Sequence, residues 1–269
     1  MSSSAMGTTG LRIALAIACV TALAGASSAH ADTLCNAVFG GQWEAQDDNC
    51  TTFIRSQREA VLALKVVVPQ YLVGHPHMGP PIVEYLRDRV LSWRTAGSSM
   101  VRASDVSIDY SAHSHRALRS VVFRETQQTV GNNANNAVRS FVFDLGTGNQ
   151  LSLADLFKPG IDPLTALPPL ARPFLEESLA TARPPHVVGA YPFIVDRFEP
   201  QVDGSGYSEN YRAFALTSSE LILFMPDRPM SRENPMPHNQ LVWSMDGGAV
   251  QTHIPLEALS SILRQDLTI

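Results

Sequence analysis

The chain has 269 residues, with 20 basic and 25 acidic side chains and a formal net charge of −5. No run of Lys or Arg occurs in it. Clustered positive charge is what nucleic-acid binding depends on, so a nucleic-acid partner is excluded.

Residues 1–31 have the three parts of a secretory signal peptide. Arg12 is the only charged side chain, and an apolar stretch over residues 13–24 follows it. That stretch is shorter than the roughly 20 residues of a membrane-spanning helix. The segment ends in Ala-His-Ala at residues 29–31, with small side chains at the positions that a signal peptidase reads. We expect cleavage near Asp32 and a protein that is secreted or held in the periplasm or cell envelope, without membrane insertion.

Removing this leader leaves two cysteines, Cys35 and Cys50, and 19 basic against 25 acidic side chains, a net charge of −6. Because exported proteins meet oxidising conditions, we predict that the two cysteines form a disulfide. Closing this short loop should contribute about 3 kcal/mol to stability. The predicted organisation is a disulfide-tied segment over residues 32–59, then an α+β domain over 60–269.

Hydrophobic periodicity predicts the first strand and the first helix of that domain. Residues 60–68 form an almost continuously apolar, valine-rich stretch that predicts a buried strand. A helix is predicted from Pro80 to Gly97, because four apolar residues recur on one face at spacings of four, four and three. These residues are Ile82, Leu86, Val90 and Trp93.

Alternation of apolar and polar residues predicts the strands that follow. Val106, Ile108 and Tyr110 alternate with polar residues, as expected of a half-buried strand. A second strand should run through residues 121–125 and a third through 138–145. The Gly- and Asn-rich turn between these two predicts a long hairpin, which separates an N-terminal part (60–128) from a C-terminal part (137–269).

The C-terminal part mixes short helices with hairpins. Ser152 and Asp155 resemble a capping box before a short helix, and prolines should keep the chain irregular until a helix over residues 174–182. Residues 214–216 and 221–225 predict a second hairpin. The last strand should run from Gly247 to Ile254, and Pro255 should open a terminal helix that carries Leu256, Leu259 and Leu263. This element order predicts an α+β fold in which antiparallel pairing dominates.

Five segments together resemble the RsiV-like superfamily, and most closely its mycobacterial secreted immunogenic-protein branch. The segments are residues 35–50 with Gly40-Gly41, 82–86 (IVEYL), 152–157 (SLADLF), 210–217 (NYRAFALT) and 253–255 (HIP). The resemblance implies an α+β domain with a curved, mainly antiparallel sheet and helices packed on one side. In one branch of that superfamily the domain captures lysozyme. This chain departs from the family pattern at the asparagines of residues 132–136 and at Ser244-Met245, so lysozyme capture is not carried over.

No catalytic motif is present in the sequence. Gly-x-Ser-x-Gly and His-Glu-x-x-His are both absent, and Ser205 lies between glycines that are one position out of register. Glu176-Glu177 is interpreted as the solvated face of a helix. The leading hypothesis is therefore a secreted, non-catalytic binding protein whose partner is a protein or a cell-envelope ligand, without a cofactor. The alternative is a secreted hydrolase that acts on an ester or a glycan.

Two histidine pairs offer a weak metal-binding alternative. His75 and His77, like His113 and His115, are two residues apart, and such pairs share a face when they lie on a strand. The four imidazoles would bind a transition metal only if the two segments were adjacent. The preferred interpretation is a polar loop and a solvent-facing strand edge, so no metal site is predicted.

The segment over residues 226–240 is the predicted partner-binding loop. It is rich in proline, which limits the freedom lost on binding, and in methionine, which offers adaptable apolar contact. A mere connector between two strands is the competing interpretation. The candidate contact residues are Pro229, Met230, Pro235, Met236, Pro237 and His238.

Overall fold

The computed structural model describes residues 34–46, 48–131, 134–181, 194–201, 208–225, 242–244 and 250–268. The strands in these ranges are β1 (Glu44–Gln46), β2 (Asn49–Arg55), β3 (Val61–Val67), β4 (Ser104–His115), β5 (Leu118–Thr129), β6 (Asn135–Asp144), β7 (Gln150–Leu151), β8 (Ala213–Leu216), β9 (Glu220–Met225), β10 (Val242–Ser244) and β11 (Val250–Pro255). The α-helices are α1 (residues 34–39), α2 (Gln70–Val73), α3 (Gly79–Ser99), α4 (Pro163–Ala166) and α5 (Pro168–Thr181).

The strands form two sheets. The main sheet has the order β1-β2-β3-β4-β5-β6-β10, and β7 also pairs with β6. Its pairs are antiparallel except for β3 and β4, which run parallel. The predicted α+β class with mainly antiparallel pairing is confirmed. A separate second sheet, with the order β11-β9-β8, was not predicted.

Helix α3 covers one face of the main sheet. The four apolar residues of its predicted stripe, from Ile82 to Trp93, are almost completely buried, which confirms the prediction. They pack against inward-facing residues of the central strands, among them Leu64, Val106 and Phe123. Burial of such side chains contributes roughly 1.5–3 kcal/mol each, so this layer is a large part of what holds the domain together.

The predicted end of this helix at Gly97 is wrong, because α3 continues to Ser99. Gly97 is buried, and a Cβ atom placed on it would lie 3.0 Å from Leu62 Cδ2 and 3.1 Å from Ile54 Cγ2. The glycine therefore allows the helix to approach the sheet closely, rather than ending the helix.

Two further helix predictions also need correction. Helix α5 begins at Pro168 and not near residue 174, because proline is tolerated in a first turn whose N–H groups have no helical partner. After Pro255 the chain forms a short 3₁₀ helix, Leu256–Leu259, in place of a longer terminal helix. The leucines that were predicted to be buried in this last segment are buried.

Strand β8 lies at the edge of the second sheet and docks on the main sheet. The backbone N–H groups of Phe214 and Leu216 donate to Ser140 Oγ and Ser120 Oγ, and both distances are 2.9 Å. Each serine hydroxyl is buried on the face opposite α3 and accepts a hydrogen bond from an N–H group of β8 that does not pair with β9. Helix α5 packs on β11 at the other side of this sheet.

The N-terminal segment is joined to the domain by a disulfide and by hydrogen bonds. Cys35 of α1 and Cys50 of β2 are bonded, with 5.7 Å between their Cα atoms, which confirms the predicted bridge. Arg87 and Arg94 of α3 donate to backbone carbonyl groups of residues 37–40, at the C-terminal end of α1. These are the carbonyls that a helix leaves without partners, so α1 is held by α3 as well as by the disulfide.

Candidate functional site on the open sheet face

The main sheet has a solvent-facing surface opposite α3. Side chains alternate along a strand, so Leu64 and Val106 point into the core while Lys65 and Ser107 point outward. The outward side chains of β2 to β5 form two rows, because residues paired in the sheet lie opposite each other. The first row is Thr51, Lys65, Ser107 and Thr126, and the second is Phe53, Ala63, Asp105 and Gln128. This surface is referred to below as the open face.

Its dimensions follow from the geometry of a sheet. Strands lie ~4.8 Å apart, so each row of four residues spans roughly 14 Å. The two rows are separated by two residues along a strand, about 6.6 Å. Both rows lie in a depression of about 320 Å³. The surface thus offers a shallow, elongated site rather than an enclosed cavity.

Phe53 is the apolar centre of the open face. Its side chain is 68% exposed, although an aromatic ring of this size usually contributes to a core. On the adjacent strand its partner is Ala63, whose short side chain leaves space between the ring and Asp105. One face of the ring is therefore accessible beside a floor of small residues.

The polar side chains of the open face have unused hydrogen-bonding capacity. Within the described residues, five of them make no hydrogen bond or ion pair: Lys65, Asp105, Ser107, Thr126 and Gln128. Thr51 differs, because its hydroxyl donates to the carbonyl oxygen of Glu44 at 3.3 Å. Lys65 and Asp105 carry opposite charges, so the two rows together are close to neutral. The site can donate and accept several hydrogen bonds without selecting strongly for a charged ligand.

The structure distributes the histidines over separate local contacts. His75 Nδ1 accepts from the backbone N–H groups of His77 and Met78, each at 3.3 Å, at the start of α3. His115 Nδ1 donates to the carbonyl oxygen of Thr217 at 3.0 Å, and His113 lies 3.3 Å from a serine hydroxyl. Across the described ranges, no three metal-ligating side chains come together. The prediction that these histidines form no metal site stays a prediction, which a zinc or copper titration would test.

The predicted partner-binding loop, with Pro229 to His238, lies outside the described residues. Residues 1–31, the predicted signal peptide, lie outside them as well. In the part that is described, no helix combines the length and apolar character that a bilayer-spanning segment needs.

The open face was not predicted from the sequence. Strand β2 was not predicted either, although the run Thr51-Thr52-Phe53-Ile54 is rich in the β-branched and aromatic residues typical of strands. That signal alone would have found the strand. The two rows still require the register of four strands, which the sequence does not contain in any local pattern.

Comparison with known proteins gives structural similarity only. No family model matches the chain, and no curated protein matches it. A DUF3298 family protein from Pseudomonas aeruginosa PAO1 is similar over 82% of this chain and 95% of its own, with 12% identity and a TM-score of 0.45. A member of the same family from Bacteroides fragilis is similar over 84% of this chain and 95% of its own, with 15% identity and a TM-score of 0.49. The function therefore has to be inferred from the residues of this chain.

Proposed function

We propose that this protein is an exported, non-catalytic binding protein of the RsiV-like superfamily that holds a neutral glycan of the cell envelope on its open face. The observation that carries the proposal is an exposed aromatic ring, Phe53, beside five polar side chains that have no partner in the described part of the chain.

The chemistry of a sugar chain matches this arrangement. A pyranose ring presents C–H groups on its faces and hydroxyl groups around its edge. An aromatic ring packs on the C–H groups, while hydroxyl, amide and carboxylate groups exchange hydrogen bonds with the edge. Phe53 supplies the ring, and Ser107, Thr126, Gln128 and Asp105 supply the polar groups. A shallow row also admits a polymer that continues beyond the site at both ends.

A protein partner suits the open face less well. Stable protein interfaces bury about 800 Å² on each side, with an apolar centre from which charged residues are depleted. Here one aromatic residue is surrounded by short polar side chains and by the charges of Lys65 and Asp105. The composition therefore favours a small, hydroxyl-rich ligand over a protein surface.

The arrangement favours binding over hydrolysis. Most glycosidases place two carboxylates on either side of the bond that they cleave. Of the described residues that line the depression, Asp105 is the one carboxylate. The alternative function, a hydrolase that acts on an ester or glycan, would require turnover by the purified protein. If the unchanged protein hydrolyses such a substrate and the Asp105→Asn variant does not, the function of the open face is hydrolysis and not binding alone.

Two other features support the export and family parts of the proposal. The Cys35–Cys50 disulfide suits an oxidising compartment, as does the signal-peptide pattern of residues 1–31. The five sequence segments support the RsiV-like assignment.

The test is a titration of neutral soluble polysaccharides, with galactan, arabinan and glucan as probes, into the purified protein by calorimetry. We expect Phe53→Ala to weaken binding on the order of tenfold, which is about 1.4 kcal/mol. Leu91→Ala is the matched control, since Leu91 is 64% exposed but lies on α3, away from the open face. Equal affinities for both variants and the unchanged protein would remove the open face as the binding site.

A further inference from the structure

A second polar site lies on the opposite side of the main sheet, between α3 and β6. Arg139 places its guanidinium carbon 4.5 Å from the ring centroid of Phe141. The Tyr85 ring of α3 packs on the same phenylalanine, with 5.9 Å between ring centroids, and on Phe123 at 5.2 Å. Phe123 is the residue paired with Arg139 in the sheet, so the phenol and the guanidinium share one aromatic neighbourhood.

The Tyr85 hydroxyl is buried without a hydrogen-bond partner. Burial raises the pKa of this hydroxyl well above its usual value, and the negative charge of Glu125 raises it further. The group therefore remains an O–H donor at any physiological pH. An unsatisfied buried hydroxyl is costly, and such groups in folded proteins usually mark a missing partner.

Arg139 lacks a counter-ion in the described part of the chain. The nearby carboxylate of Glu125 is bound to other residues. Both of its oxygens already accept hydrogen bonds, from Arg89 and from Trp93. The cluster thus contains a positive charge that no described acid neutralises. Arg139 is half-buried, and this burial lowers the pKa of its guanidinium, as does the positive charge of Arg212.

We propose that Arg139 and Tyr85 form a binding site for the carboxylate group of a ligand. The planar guanidinium donates two parallel hydrogen bonds to a carboxylate, and the Tyr85 hydroxyl donates a third. The Phe141 ring under the guanidinium fixes the plane in which the carboxylate lies. A monoanion is expected rather than a phosphate dianion, because Arg139 is the guanidinium that lies against this aromatic cluster without a described counter-ion. This site is separate from the open face and does not depend on the glycan proposal.

The test compares acetate with chloride at constant ionic strength, using thermal unfolding and ¹H–¹⁵N NMR titration of the purified protein. We expect acetate to bind in the millimolar range and to raise the unfolding temperature. Arg139→Gln should abolish both effects. Arg124→Gln is the matched control, because Arg124 is exposed on the neighbouring strand and points to the other face of the sheet.

Tyr85→Phe gives a second readout that a merely structural role would not produce. In chloride this variant should unfold at a temperature equal to or above that of the unchanged protein, since it removes an unsatisfied buried hydroxyl. In acetate it should lose affinity roughly threefold to tenfold. The proposal is overturned if acetate has no effect on the unchanged protein, or if its effect persists in Arg139→Gln. Tyr85→Phe keeps the test decisive if Arg139→Gln fails to fold.

Discussion

Arg89 and Glu125 form a bidentate ion pair inside the core. Arg89 Nε lies 2.7 Å from Glu125 Oε2, and its terminal nitrogen Nη2 lies 2.8 Å from Oε1. Trp93 Nε1 donates to Oε1 at 2.8 Å, so helix α3 meets strand β5 through three hydrogen bonds to one carboxylate. Burial acts to lower the pKa of Arg89, but the hydrogen bond and charge of Glu125 outweigh it, and the net effect is a raised pKa.

We predict that Glu125→Gln lowers the free energy of unfolding by about 3–5 kcal/mol, because it removes the negative charge that pairs with the buried Arg89 guanidinium. Urea denaturation measures this change. Glu84→Gln is the control, since Glu84 is exposed on the same helix and should change stability by less than about 0.5 kcal/mol. Similar denaturation midpoints for the two variants would show that the ion pair contributes nothing.

The second sheet should depend on two serine hydroxyls. Ser120→Ala and Ser140→Ala each leave a backbone N–H of β8 buried without an acceptor, which costs about 1–3 kcal/mol. Hydrogen exchange of Phe214 and Leu216 should accelerate in the variants, and urea denaturation should show the loss. Ser114→Ala, an exposed position on β4, serves as the reference. Unchanged exchange at both β8 amides would mean that the hydroxyls do not hold this strand.

Acid should weaken the turn before Ala154. The Ser152 hydroxyl and then its backbone N–H donate to Asp155 Oδ2, at 2.6 and 2.7 Å, and lower the pKa of Asp155. The folded state therefore favours the charged form of Asp155. The resulting stabilisation is present above pH ~4, and it is lost as the pH falls through the lowered pKa that Asp155 has in the folded protein. Asp155→Asn should cost at most about 1 kcal/mol at pH 7, because the site is exposed.

The measurement for this third prediction is urea denaturation between pH 7 and pH 2. The difference between the unchanged protein and Asp155→Asn should shrink below pH 4. Asp109→Asn, at an exposed position of β4, is the matched control for the removal of one carboxylate. A difference that stays constant over the whole range would contradict the assigned role of Asp155.

Removal of the disulfide should destabilise the N-terminal segment more than the rest of the domain. Replacing both Cys35 and Cys50 by alanine should lower the free energy of unfolding by about 3 kcal/mol. Amide exchange of residues 34–39 should increase further than that of α3, although Arg87 and Arg94 still hold the end of α1. Dithiothreitol should reproduce the loss in the unchanged protein and have no effect on the double variant. If the oxidised and the reduced protein have the same free energy of unfolding, the disulfide does not stabilise the fold.

Local patterns of the sequence predicted the elements but not their long-range partners. The stripe that ends at Trp93 located α3, and the alternation around Ile108 located β4. In contrast, Glu125 was correctly placed on a strand, while its partner Arg89 lies on a helix that precedes it by 36 residues. Periodicity reports the environment of one face of an element, and it does not identify which charged residue faces which.

The candidate sites were missed for the same reason. Phe53 and Gln128 belong to one row only because three strand pairings bring them together. The predicted helix end at Gly97 is wrong because a glycine that permits close packing and a glycine that ends a helix look alike in sequence. The hairpin over residues 214–225 was predicted, but its place in a separate sheet depends on the pairing of β9 with β11, which no local pattern specifies.

The parallel pairing of β3 with β4 has a consequence for the order of folding. Strands β4, β5 and β6 follow one another after only two and five residues, whereas β3 reaches β4 only after residues 68–103 have closed a long loop. Contacts between distant parts of a chain form late, because the entropy of loop closure is lost before they are made. By this argument the junction between Lys65 and Ser107 assembles after the pairing of β4, β5 and β6. A ligand that contacts both residues would bridge this junction. It would slow the separation of β3 from β4 and so lower the unfolding rate of the protein.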